Sequence, residues 1–146
     1  MYKTVLVAVD GSPTALKAVE HAASLARAFG STVALVYVID PFPFTGLGSD
    51  FAYGQAEYLS AASAEAAQAI DQAQGVLRQA GVDQVQTAVV EAHATWRGIL
   101  DQAQKVQADL IVLGSHGRHG LEKIMLGSVA QRVLAHAHLP VFVVRA

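Results

Sequence analysis

Two hydrophobic periods alternate along the chain. Thr4 to Val9 is a continuous apolar run without polar alternation, the pattern of a strand covered on both faces. Ser12-Pro13 then offers an N-cap and a first-turn proline. Leu16, Val19, Ala22, Ala23, Ala26 and Phe29 recur at helical spacing, and Gly30 stands where a left-handed cap closes a helix. Thr32 to Ile39 is a second buried strand, stopped by Asp40-Pro41. A helix is predicted from about Glu57 to Ala80, with Leu59, Ala62, Ala66, Ile70, Ala73 and Leu77 on one face and Gly81 at its end. Val85 to Val90 reads as a third strand. Thr95 is placed to cap a helix through Ile99, Leu100, Ala103 and Val106. Leu110 to Leu113 is a fourth strand running into Gly114, Ser128 is placed to cap a last helix, and Pro140 to Val144 forms a fifth strand.

Five buried strands alternating with four helices predict an α/β fold: a single doubly wound, five-stranded parallel sheet with helices on both faces and right-handed crossovers. The 146 residues make one domain the expectation, spanning 1–146. One stretch breaks the rhythm. Pro41 to Gln55 has no clear period, yet with Tyr58 it holds half of the aromatic residues: Phe42, Phe44, Phe51, Tyr53 and Tyr58. Such a segment is either a lid or binding surface, or a loop whose rings fold back on the neighbouring helix.

Composition narrows the function classes. At 53% hydrophobic and 15% charged residues the chain is no disordered polymer. A net charge of -2 leaves no basic surplus to neutralise a nucleic-acid backbone. The absence of cysteine removes disulfides, thiolate metal sites and a cysteine nucleophile, and suits a reducing cytoplasm. The first apolar run halts at Asp10, too soon for a signal-peptide core, and no run approaches the roughly 18 apolar residues of a membrane span. The expected address is cytoplasmic.

The segment Gly114 to Ser128 carries the chemistry. It follows a buried strand and leads into a helix, and its glycines permit positive φ or a close backbone approach to a ligand. Successive N–H groups in such a loop, with the helix terminus behind them, make an anion cradle without cationic side chains. A ligand-free strand-to-helix turn has the same composition. The spacing matches neither a Walker loop nor the dinucleotide fingerprint. Ligands of open α/β sheets sit beyond the carboxyl ends of strands where the order reverses. If strands one and four are neighbours there, Asp10 faces the glycine loop, and its carboxylate either receives ligand hydroxyl or amine donors or bonds its own turn. His116, His119, His136 and His138 lack carboxylates at ligand spacing, so no metal set is predicted. Neither a Ser-His-Asp set nor a carboxylate pair can be assembled from linear spacing.

Gly114, Gly117, Gly127 and Ser128 reproduce Gly-x2-Gly-x9-Gly-Ser/Thr, the signature of the ATP-binding subfamily of universal stress proteins, which the whole chain resembles. With glycine near 7% of residues, this spacing arises by chance in such a chain on the order of 1% of the time. The resemblance implies a Rossmann-like fold of the adenine nucleotide alpha hydrolase type and an ATP site, with Mg2+ as a companion ion. It implies that Ala8, Val9 and Asp10 lie against adenine and ribose, that Val38 packs on the base, and that Leu113 and Gly114 line the nucleoside. Gly117, Gly127, Ser128 and Val129 are then the phosphate contacts. Arg118, His119 and Lys123 are within sequence reach of a triphosphate, although the signature does not specify them. Some relatives carry proline where this chain has Ala8, which implies looser packing on adenine here.

An apolar last strand, Val141 to Val144, would be an exposed adhesive edge, and pairing with its symmetry mate would cover it. The resemblance implies the same homodimer. It also implies a stress-response regulator or sensor with at most slow ATP hydrolysis and a protein partner of unknown identity. Two alternatives stand beside it: a nucleotide-independent dimeric interaction module working through the aromatic segment, and a slow ATPase.

Overall fold

A computed structural model describes residues 1–41, 49–117 and 125–146, the side chains of 49–53 excepted. The elements in chain order are β1 (Thr4–Ala8), α1 (Pro13–Phe29), β2 (Thr32–Ile39), α2 (Ser49–Gln79), β3 (Val85–Glu91), α3 (Thr95–Lys105), β4 (Leu110–Gly114), α4 (Ser128–His136) and β5 (Val141–Val144). The strands form one sheet in the order β3-β2-β1-β4-β5, every pair parallel, which is the doubly wound arrangement expected from the sequence.

The unbroken apolar runs are explained by two cores. Val5 and Val7 of β1 point with Val33, Leu35 and Val112 toward α1 and α2, whereas Leu6 points with Ala34, Val36 and Ile111 toward α3 and α4. The first layer is built on alanine: Ala18, Ala22 and Ala26 of α1 and Ala66 and Ala73 of α2 are buried, so both helices lie close to the sheet. In the second layer Ile99 and Ala103 of α3 meet Ala130 and Val133 of α4. The edge strands correct the expectation of five buried strands. β3 exposes Gln86, Thr87, Val89 and Glu91, and β5 leaves Phe142 39% exposed, because each has a neighbour on one side only.

The start of α1 is as expected: Ser12 Oγ accepts from the Ala15 N–H at 3.1 Å, Pro13 opens the helix, and Gly30 closes it at φ 67°. Gly81 ends the α2 segment at φ 83°. Three helix starts differ from expectation. α2 begins at Ser49, ahead of the predicted Glu57, so Phe51 and Tyr53 belong to the helix. Gly54 and the aromatics mask its period, and a side-chain bond from Gln55 Nε2 to the Pro41 carbonyl, 2.8 Å, ties it to the end of β2. Phe42 and Phe44 lie outside the described residues. In α3 and α4 the caps are Ala94 and Gly127, and Thr95 and Ser128 are already helical.

At the end of the sheet away from these turns, Asp109 clamps β4 to β1. Its carboxylate accepts from the backbone N–H groups of Lys3 at 2.8 Å and Thr4 at 3.1 Å, and its own N–H donates to the Thr4 carbonyl at 3.0 Å.

Candidate functional site

β1 lies between β2 and β4, so the chain leaves the sheet in opposite directions after neighbouring strands, and a crevice opens beyond their carboxyl ends. Its cavity measures 480 Å³, within the range of about 300–1,000 Å³ usual for small-molecule sites. Three strands and the start of α4 bring the predicted residues together there. Ala8 ends β1 and Val9 and Asp10 follow it, Val38 stands late in β2, and Leu113 and Gly114 end β4. Gly117, Gly127, Ser128 and Val129 complete the opposite wall. Arg118, His119, Gly120 and Lys123 lie outside the described residues.

The two oxygens of Asp10 face different ways. Oδ1 accepts from the Ser12 N–H at 2.9 Å, fixing the turn from β1 into α1. Oδ2 faces the glycine loop: a Cβ on Gly117 would stand 2.8 Å from it. Close approach is also what the other two signature glycines provide. A Cβ on Gly114 would meet Thr14 Cγ2 at 2.7 Å, and one on Gly127 would meet the Ser115 carbonyl oxygen at 3.1 Å. None of the three has positive φ, in contrast to Gly11 of the β1–α1 turn at 84°. At these three glycines the reason seen is close approach rather than a left-handed backbone.

The loop is anchored through its backbone. Ser115 N–H donates to the Val144 carbonyl of β5 at 2.8 Å, and Gly127 N–H donates to the Ser115 carbonyl at 2.7 Å, so the segment leaves and returns at one point. α4 starts there with no side-chain cap and no acidic residue in its first turn. Its first N–H groups therefore have no side-chain acceptor from the cap, and the dipole there favours an anion. The same holds for α3, whose cap Ala94 has no side-chain acceptor.

Sequence reasoning missed Thr95 and Ile99 of α3, together with Asp40, Ser115 and His116, which also line the cavity. α3 follows the edge strand β3, and no linear motif ties it to β1 or β4. Tyr58, noted only as part of the aromatic segment, reaches the cavity from α2. Ser115 and His116 are 2% and 9% exposed, and the buried Ser115 Oγ and His116 Nε2 have no hydrogen-bond partner among the described residues. Among the described residues no three His, Asp or Glu side chains gather around a metal position. No helix among them is long and apolar enough to cross a membrane.

The edge of β2 supplies one further recognition element. Its even-numbered residues bond toward β1: Thr32 N–H donates to the Lys3 carbonyl at 2.8 Å and the Val36 carbonyl accepts from Val9 N–H at 2.9 Å. Two residues on, β1 has turned away. The N–H and C=O of Val38 thus point to the β1 side with no backbone partner among the described residues. A donor and an acceptor from one residue, side by side on a strand edge, match a flat heterocycle bearing an amine next to a ring nitrogen.

Comparison with known proteins agrees along the whole chain. Residues 1–145 match the family model described as the universal stress protein family. A universal stress protein of Methanocaldococcus jannaschii is 38% identical over 146 residues, covering 99% of this chain and 83% of that protein. Among solved structures, the universal stress protein UspA from Lactobacillus plantarum superposes with a TM-score of 0.88 at 28% identity, covering 99% of this chain and 98% of that one. The Archaeoglobus fulgidus universal stress protein in complex with dAMP gives a TM-score of 0.68 at 26% identity, covering 99% and 98%.

Proposed function

The chain belongs to the universal stress protein family, and we propose that it is a cytoplasmic, nucleotide-dependent stress-response regulator whose crevice holds ATP. The observation that carries this reading is the uncapped start of α4 beside three glycines at which a Cβ would collide with Thr14, Asp10 Oδ2 and the Ser115 carbonyl. Adenine lies along the free edge of Val38, its amine donating to the carbonyl and a ring nitrogen accepting from the N–H. A guanine carbonyl in place of that amine would confront the Val38 carbonyl with a second acceptor. The ribose hydroxyls donate to Asp10 Oδ2, with Ala8, Val9, Leu113 and Gly114 around the nucleoside. The phosphates take the N–H groups of Gly117, Gly127, Ser128 and Val129, and the Ser128 hydroxyl. Arg118, in sequence next to Gly117, is assigned to the triphosphate as well, and Mg2+ enters with the triphosphate rather than on a protein site. The nucleotide complex of the Archaeoglobus relative supports the same class of ligand.

Regulation rather than turnover fits the groups present. Asp10 holds its own turn through Oδ1, and the wall facing it is built of backbone N–H groups, which suit holding phosphates rather than activating water. Nucleotide state instead reaches the surface through one bond: the loop hangs from Val144, and β5 is an apolar edge with Phe142 exposed. β5 pairs with its copy in a homodimer, so filling the cradle alters the rim of the dimer, where a protein partner reads it.

Thermal melting tests this directly. Mg-ATP at 100 times its Kd stabilises the protein by about 2.7 kcal/mol, while GTP at the same concentration gives a much smaller rise. An unchanged melting temperature with millimolar Mg-ATP overturns the nucleotide reading. Sedimentation in the same buffer shows the dimer, and a monomer at micromolar concentration removes the β5 pairing.

A further inference from the structure

We infer that Gly98, outside the glycine signature, is a positioning residue that sets the width of the base-binding end of the crevice. Glycine in the body of a helix costs about 1 kcal/mol against alanine, so its use in the first turns of α3 calls for a compensating contact. The contact is with β2. A Cβ at Gly98 would stand 2.8 Å from Val38 Cγ1, 3.0 Å from Val38 Cγ2 and 3.1 Å from Ala92 Cβ. Gly98 is buried, and its N–H closes the first bond of α3 on the Ala94 carbonyl at 3.1 Å. The helix thus rests on the side chain of the residue whose backbone edge faces the cavity.

The placement of its neighbours makes this contact functional. Thr95 and Ile99 share a helix face with Gly98 at i, i+3 and i+4 spacing, and both line the cavity, as Val38 does. α3 and β2 therefore form two sides of one slot, and the Gly98–Val38 contact fixes their separation. Val38 cannot yield by rotation alone. Both of its methyl groups lie within 3.0 Å of the Cβ position, so any staggered rotamer leaves at least one in a crowded direction. A side chain at 98 must either lift the start of α3 or push Val38, and each changes the slot where the base is held. The signature glycines keep the phosphate end open, and Gly98 does the same at the base end.

This inference rests on the adenine reading, and the test separates the two. Affinities of AMP, ADP and ATP are measured by calorimetry for the wild type, Gly98→Ala and the double variant Gly98→Ala with Val38→Ala, with circular dichroism and melting as controls. Gly98→Ala is expected to weaken all three nucleotides by the same factor, about tenfold, because the lesion is at the base and not at the phosphates. Removing the Val38 methyls is expected to restore much of that loss relative to Val38→Ala alone, the signature of direct coupling. Equal binding by wild type and Gly98→Ala overturns the inference and leaves the adenine reading standing. So does a loss that grows with phosphate number, or one that Val38→Ala does not relieve. A wild type that binds none of the three nucleotides overturns the adenine reading and this inference together. Should Gly98→Ala fail to fold, Val38→Ala alone decides: a widened slot accepts N6-methyl-ATP better relative to ATP than the wild type does, and an unchanged ratio overturns the inference.

Discussion

The two walls of the crevice are built by opposite means. The wall at the end of β1 is made with side chains: Asp10 Oδ1 holds the Ser12 N–H, Ser12 Oγ holds the Ala15 N–H, and Pro13 starts α1 with its φ already fixed. The wall at the end of β4 is made by leaving side chains out. Gly114, Gly117 and Gly127 supply close approach, backbone bonds to Val144 and Ser115 supply the shape, and α4 begins with its N–H groups unclaimed. The lesson concerns where a helix terminus is available. α1 satisfies its own first turn and is a structural support, whereas α4 leaves its first turn without a side-chain cap, as the proposed phosphate site requires.

Substitutions on the two walls should therefore fail differently. The largest effect is expected on the glycine wall: Gly117→Val pushes a branched side chain at Asp10 Oδ2 and into the cavity, lowering ATP affinity about 100-fold or more by calorimetry while circular dichroism stays native. Retained affinity would show that the phosphates do not lie there. An intermediate effect is expected from Asp10→Ala, which removes a ligand acceptor and a turn bond together. Affinity should fall about tenfold, with melting lowered as well. A loss of stability without loss of affinity would reduce Asp10 to its turn. The smallest effect belongs to Ser12→Ala: about 1 kcal/mol of stability on chemical denaturation, with ATP affinity within a factor of two. A large affinity loss there would erase the contrast between the walls.

Much of this was legible in the sequence because the features involved are local. Buried strands announce themselves as unbroken apolar runs, Ser12-Pro13 and Gly30 bracket α1, and the spacing of Gly114, Gly117, Gly127 and Ser128 lies within one connection. What stayed hidden depends on elements meeting across the sheet. Gly98 looks like an ordinary weak point in a helical pattern until α3 is seen lying on Val38. Thr95 and Ser128 have the chemistry of caps, but the preceding residue takes that place in each, so composition points one position too late. The edge strands were read as buried because apolar content alone does not distinguish a central strand from β5.

The pairing of β1 with β4 has a consequence for the order in which the molecule comes into being. Thr4 and Asp109, joined across that pair, are 105 positions apart in the chain. During synthesis β1, β2 and β3 are available to associate early, with β1 as a temporary edge, and no crevice exists until β4 emerges and inserts beside it. Closing so long a loop is entropically slow, and the Asp109 clamp rewards it only at the end. A ligand of the crevice, such as the proposed nucleotide, would bind the finished sheet and not its precursors, and so would favour completed molecules over partly folded ones from the moment of their maturation.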